Sequence, residues 1–187
     1  FRENLIGWSK IADKIYIWDY VTDFSNFQMP FPIWYANLKD LQFFRKYGID
    51  GIFEQGATSN RAAAGSQLTA WLEAKLLWNP DLSLDSLMAD FMEGYYGPAA
   101  EPMLKYHTFL MNETVEKNIH FMLYSPPIIP LFSKKNLEYM DELITEAEKR
   151  SASDYELSSR VEEIRLNWQY VLLNQPLPRI IEGDIYK

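Results

Sequence analysis

Two carboxylates stand where parallel sheets gather their chemistry. Ile15-Tyr16-Ile17-Trp18 runs into Asp19, and Ile49-Asp50-Gly51-Ile52-Phe53 runs into Glu54. Both runs are β-branched and aromatic without polar alternation, as strands covered on both faces are. An acid at the C-terminal end of a parallel strand lies at the end where α/β barrels and open parallel sheets place their active sites. Neighbouring strands lie ~4.8 Å apart, so the two carboxyls would lie ~5–10 Å apart, a span covering both the retaining and the inverting geometry of glycoside hydrolysis. Glu54 has the longer arm and is the candidate proton-handling group; Asp19 is the candidate substrate anchor or charge stabiliser. The competing role for either acid is structural, as an acceptor for loop N–H groups.

The residues around these acids extend the candidate site. Between Tyr20 and Pro32 the chain carries Tyr20, Phe24, Phe27, Phe31, Pro30 and Pro32. The stretch is too Pro-rich for a helix and too long for a plain connection. Loops after parallel strands are usual places for ligand contacts, and sugar C–H groups stack on aromatic faces. Tyr20, Asp23, Phe24 and Gln55 are therefore the candidate substrate-binding residues, with carbohydrate as the expected partner. The competing role for these rings is to plug a barrel mouth or cover a neighbouring loop.

Other chemistries find little support. The two histidines, His107 and His120, have no neighbour at metal-ligand spacing, and His107 reads as a structural residue on a helix face. There is no Gly-x-Ser-x-Gly elbow and no Gly-rich phosphate loop. No cofactor and no metal is expected. The absence of Cys excludes disulfides, thiol catalysis and Cys-based zinc sites without fixing a compartment. A net charge of -8 speaks against nucleic acid, and no apolar run approaches the ~20 residues of a membrane span. Asn112-Glu113-Thr114 matches a glycosylation sequon, but in a helical context.

The elements that must hold the acids follow from hydrophobic spacing. Leu5, Trp8, Ile11 and Ala12 outline a short helix over residues 3–12. Leu38, Leu41 and Phe44, joined by Trp34 as a core residue, mark a crossover helix that Gly48 stops, which gives a right-handed βαβ unit. A small-residue loop, 57–65, leads to a helix that Ser66 would cap and Asn79-Pro80 would end. From there the pattern is helical. Ser83 can cap the next helix, another runs from near Pro98 to about Lys117, and Pro126, Pro127 and Pro130 mark a buried extended connector over 121–132. Two long helices follow as an antiparallel pair, one after Ser133 and one with a Ser153/Glu156 capping box. The tail after Leu177 adds a short extended segment. With 187 residues, 48% of them hydrophobic, the chain is long enough to bury one good core and a second small one.

The strings Lys14–Tyr20, Gly51–Gly56 and Ala74–Asp81 together resemble the family called domain of unknown function 4838, bacterial multidomain proteins with a glycoside-hydrolase-like barrel. The third string and the following Gly94–Gly97 are also similar to the region after the last barrel strand of family 67 alpha-glucuronidases. The resemblance spans residues 5–118 and weakens over the last helices. It implies an α/β fold turning mainly α: the last two βα units of a (β/α)8-type barrel in residues 1–80, then a helical C-terminal domain in 81–187. It implies a partner as well, an upstream barrel domain of the same polypeptide, because a whole barrel takes ~250 residues. A start at Phe1 fits an excised piece, and the resemblance suggests a secreted or periplasmic parent. The family often shows Gly-Glu where this chain has Gly65-Ser66, which points to a difference in specificity or activity. The expected function is glycosidic bond hydrolysis by paired carboxylates in the intact parent. The alternatives are a non-catalytic glycan-binding relative and a helical structural or interaction module.

Overall fold

A computed structural model describes residues 1–57 and 63–176, and the backbone of 181–182 and 185–186. The middle of the small-residue loop and most of the tail lie outside the described residues.

The chain opens with α1 (Arg2–Trp8), shorter than the expected 3–12. It then forms β1 (Tyr16–Tyr20), α2 (Trp34–Lys46), β2 (Gly51–Gln55) and α3 (Ser66–Trp78). β1 and β2 pair in parallel with Tyr16 opposite Gly51 and Asp19 opposite Glu54. The pairing explains Gly51: a Cβ there would sit 2.8 Å from the Tyr16 ring. Among the described residues no third strand joins either edge, and no closed barrel forms.

Side chains alternate across a strand, and the two faces of this sheet differ sharply. Ile17 and Ile52 pack on the core that includes Leu38 and Leu41 of α2 and Leu68, Leu72 and Leu76 of α3. Tyr16, Trp18 and Phe53 point the other way and are 69%, 64% and 54% exposed. Trp18 and Phe53 meet edge to face at 5.1 Å. The pattern expected of strands covered on both faces thus meets one covered face and one bare aromatic face.

The crossover helix is built as its spacing predicts, with Trp34, Leu38, Leu41 and Phe44 buried. Gly48 follows its C-cap Tyr47. At α3 the expected cap moves by one residue. Gly65, at φ +65°, is the N-cap, and Ser66 is the first helical residue. The left-handed backbone at this turn suits a residue without Cβ.

The rest is helical: α4 (Leu84–Tyr96), a 3-10 turn at Gly97–Ala99, α5 (Ala100–Glu116), a second 3-10 turn at Pro130–Phe132, α6 (Lys134–Ser151) and α7 (Tyr155–Asn174). Ser83 and Ser133 cap α4 and α6 through Ser86 N and Asn136 N. α6 and α7 run antiparallel: Glu148 bonds Arg165, while the Leu137 carbonyl further back accepts from Trp168 Nε1. A short antiparallel pair, β3 (Ile181–Glu182) with β4 (Ile185–Tyr186), lies in the tail. One buried cluster runs from Leu5 to Val171, on both sides of residue 80.

Two expectations are corrected here. The capping box at Ser153 is not formed. Asp154 is the N-cap of α7, its Oδ1 accepting from Glu156 N at 2.9 Å and Leu157 N at 3.0 Å. Asp154→Ala is therefore expected to cost about 1 kcal/mol in a urea titration, and Ser153→Ala close to nothing. A larger loss from Ser153 would restore the first assignment. The 121–132 connector is buried only at its end, at Leu131 and Phe132; before that Met122 and Tyr124 are both 68% exposed and Ile128 is 57%. It is held instead by polar ties. Phe24 N donates to the Leu123 carbonyl at 2.8 Å, Asn26 Nδ2 to the Ser125 carbonyl at 2.8 Å, and Gln175 Nε2 to the Pro127 carbonyl at 2.8 Å. Tyr170 OH donates to Asn26 Oδ1.

Candidate functional site

The parallel register sets the site. Asp19 and Glu54 are partners across the two strands and project from the same side of the sheet. That side is the one that α2 and α3 cover, because it also carries Ile17 and Ile52. The acids therefore face the first turns of the helices rather than the bare aromatic face.

Two cavities lie in that layer. The first, of about 420 Å3, is lined by Glu54, Glu73 of α3, Phe27, Phe31, Met29 and small residues at the start of α3. The second, of about 330 Å3, is lined by Asp19, Tyr20, Tyr35, Asp40 of α2 and the 119–123 segment. Phe31 borders both. The two candidate acids are thus brought side by side and open onto different spaces.

Glu54 is the most perturbed carboxyl of the two strands. Neither of its oxygens has a hydrogen-bond partner among the described residues. Burial first, then the neighbouring charges of Glu73, Asp19 and Asp40, push its pKa up to about 8. A carboxyl in that condition is a neutral acid at pH 7 and can donate a proton. Asp19 differs. Its Oδ1 accepts from the backbone N–H of Tyr20 at 2.8 Å.

The four candidate binding residues separate. Tyr20 lines the second cavity beside Asp19. Phe24 packs in the loop against Tyr20, Phe27 and Tyr124, with ring centroids 5.6–6.2 Å away. Asp23 is 1% exposed, and its Oδ1 accepts from Ser25 N at 2.7 Å and Asn26 N at 2.9 Å. It shapes the loop as a side-chain turn, with Oδ2 unpartnered. Gln55 is on the opposite face, accepting from Trp18 Nε1 at 2.9 Å.

Three polar residues of the helices belong to the site and were not singled out from sequence. Glu73 is buried, with Oε1 accepting from Asn37 Nδ2 at 2.6 Å. Burial, offset by that bond and reinforced by the Asp19 charge, raises its pKa to about 7. Asp40 is also raised, by burial and then by Asp19, while Arg2 opposes. A signal existed. Asn37 falls three residues after Trp34 and four before Leu41, inside an apolar stripe, and Glu73 falls next to Leu72 and three before Leu76. Polar residues within the buried stripes of two consecutive helices mark a polar layer beneath a sheet.

His107 takes the structural role expected of it. It is 2% exposed, its Nδ1–H donates to the Met103 carbonyl at 2.8 Å, and burial lowers its pKa to about 4. Among the described residues no three His, Cys, Asp or Glu side chains gather as metal ligands, and no helix is long and apolar enough to cross a membrane.

Compared with known proteins, residues 1–108 match the family model described as Domain of unknown function (DUF4838). The match takes in both strands of the parallel sheet, all the residues that supply the two acids and their helix partners, and the first half of α5. No curated protein and no solved structure matches the chain.

Proposed function

The chain belongs to the DUF4838 family, and from that premise we propose that it is the C-terminal part of a carbohydrate-active, glycoside-hydrolase-like protein. In this reading β1 and β2 are the last two strands of a (β/α)8-type barrel whose other strands lie upstream in the same polypeptide. The parent hydrolyses a glycosidic bond, with Glu54 as the proton-handling acid and Asp19 as substrate anchor or charge stabiliser. The observation that carries the reading is Glu54 itself: a buried carboxyl with no hydrogen-bond partner among the described residues, held near pKa 8, at the C-terminal end of a parallel strand and in the lining of a 420 Å3 cavity. Cavities of this size are in the usual range for small ligands. The bare face of Tyr16, Trp18 and Phe53 supports the upstream strands, since apolar faces of this kind are normally covered.

A second reading is glycan binding without cleavage. It is favoured by the opening of Asp19 and Glu54 onto different cavities, which separates the two carboxyls that hydrolysis needs to act on one bond.

The test compares the parent with the piece. The full-length protein is expected to release aglycone from a panel of neutral and acidic aryl glycosides. The 187-residue chain is expected to release none above background, because in this reading the upstream strands complete the substrate cleft. Sugar binding by the parent without turnover selects the second reading. Turnover by the isolated chain that Asp19→Asn abolishes overturns the dependence on upstream strands.

A further inference from the structure

One acid of the first cavity has no part in the reading above. Glu73 is 7% exposed, and its two oxygens differ: Oε1 accepts from Asn37 Nδ2 at 2.6 Å, while Oε2 has no partner. Glu54 lines the same cavity with both oxygens unpartnered. Three buried carboxyl oxygens on two residues that line one cavity are therefore without a hydrogen bond among the described residues. The other groups that act on Glu54 are Asp19 from β1 and Asp40 from α2, both acidic. Among the described residues no Lys, Arg or His lines this cavity.

Two neighbouring buried carboxylates cannot both ionise cheaply, and an unpaired buried acceptor is costly by itself. A single proton held by the two acids relieves both penalties. Asn37 decides which acid keeps it. An N–H donor favours the ionised form of the carboxyl that accepts it, so Glu73 gives up its proton first and Glu54 retains one.

We propose that Glu54 and Glu73 are a proton-sharing carboxyl pair, in which Glu73, oriented by Asn37, is the positioning residue that keeps the proton on Glu54. The functional meaning of the pair rests on the reading of Glu54 as the proton-handling acid; its ionisation does not. The ordering agrees with the upward shifts, to about 8 for Glu54 and about 7 for Glu73. In a hydrolytic cycle the O–H bond of Glu54 breaks and its proton passes to the leaving oxygen as the glycosidic bond between that oxygen and the sugar carbon breaks. Glu54 regains a proton from the attacking water, whose hydroxyl goes to the sugar carbon. An ionised Glu73 opposite favours that regain at neutral pH.

The test is a carboxyl-carbon NMR titration of the 187-residue chain labelled at glutamate, with Glu54→Gln and Glu73→Gln identifying the two signals. In the wild type, Glu54 is expected to titrate near 8, and each acid's curve is expected to show an inflection from the other. Glu73→Gln, which keeps an acceptor for Asn37, should move the Glu54 midpoint down by about one unit or more. Glu73→Asp should leave it raised, and Asn37→Ala should raise the midpoint of Glu73. A Glu54 midpoint unmoved by Glu73→Gln overturns the proposal, as do wild-type curves without mutual inflection. If the variants fail to fold, the latter measurement decides alone, the two glutamate signals being the ones expected to titrate near 8 and near 7. No sugar enters the titration, so failure of the carbohydrate reading would appear in the hydrolysis assay and leave these midpoints unchanged.

Discussion

Glu54→Gln is expected to lower turnover of the full-length protein by about 10²–10⁴-fold, the usual contribution of a positioned proton donor. In the isolated chain the same change should flatten the dependence of stability on pH. Glu54 titrates near 4.5 when unperturbed and near 8 when folded. Between those values the folded state holds a proton that the unfolded state has lost. Its contribution is therefore complete below about pH 4.5, shrinks as pH rises, and is gone above about pH 8. Glu73 acts in the same direction up to about pH 7. A shift of this size bounds the loss at roughly 5 kcal/mol, and partial exposure reduces the expected loss to roughly 2–3 kcal/mol. The measurement is the urea midpoint at several pH values from 5 to 8.5 for wild type and variant. Parallel curves would mean that Glu54 is solvated like an ordinary carboxylate, and its case as the acid would lapse. Unchanged turnover in the parent, with an unchanged melting temperature, would remove it from the site directly.

Trp34→Ala should be the most damaging single change to the fold, at about 3–5 kcal/mol. Trp34 is 4% exposed and opens α2. Its Nε1 donates to Thr69 Oγ1 of α3 at 3.0 Å, and its ring lies 5.7 Å from that of His107 on α5. One side chain thus joins the crossover helix, the helix after β2 and the first long helix of the remainder. Trp34→Phe keeps most of the apolar area and loses the N–H bond, so about 1 kcal/mol is expected. Domains of this kind have only about 5–15 kcal/mol in total, and the alanine variant should show a visibly lower urea midpoint. A cost below 1 kcal/mol would place Trp34 outside the core and return it to the ligand platforms.

The βαβ unit was legible because its signals are local. Aromatic and β-branched runs, the Trp34–Phe44 spacing and Gly48 all act within a few residues. The pairing of Asp19 with Glu54 followed from parallel register alone. What covers that pair is a tertiary matter. The sequence pattern did not distinguish the helix-covered side from the bare side, so Gln55 was grouped with Glu54 although adjacent strand residues face opposite ways. Glu73 and Asn37 went unnoticed because a polar residue beside an apolar stripe reads first as solvated surface. The caps missed by one residue for a similar reason. Ser153 and Asp154 both favour the position, and backbone geometry chooses between them. Pro-rich apolar composition over 121–132 suggested burial throughout, but only its end, Leu131 and Phe132, is buried; the part before it is fixed by hydrogen bonds to its carbonyls and leaves Met122, Tyr124 and Ile128 in water.

Those hydrogen bonds impose a schedule on synthesis. Asn26 is tied to Ser125 across 99 residues and to Tyr170 across 144. At roughly 5–20 residues per second, Tyr170 is translated about 7–30 s after Asn26. Early in that interval the nascent aromatic loop lacks its ties to Leu123 and Ser125, and until its end the tie to Tyr170, so Phe24 and Phe27 are only partly held. The strands and α2 can meet early, whereas the rim of the site is finished only when α7 arrives.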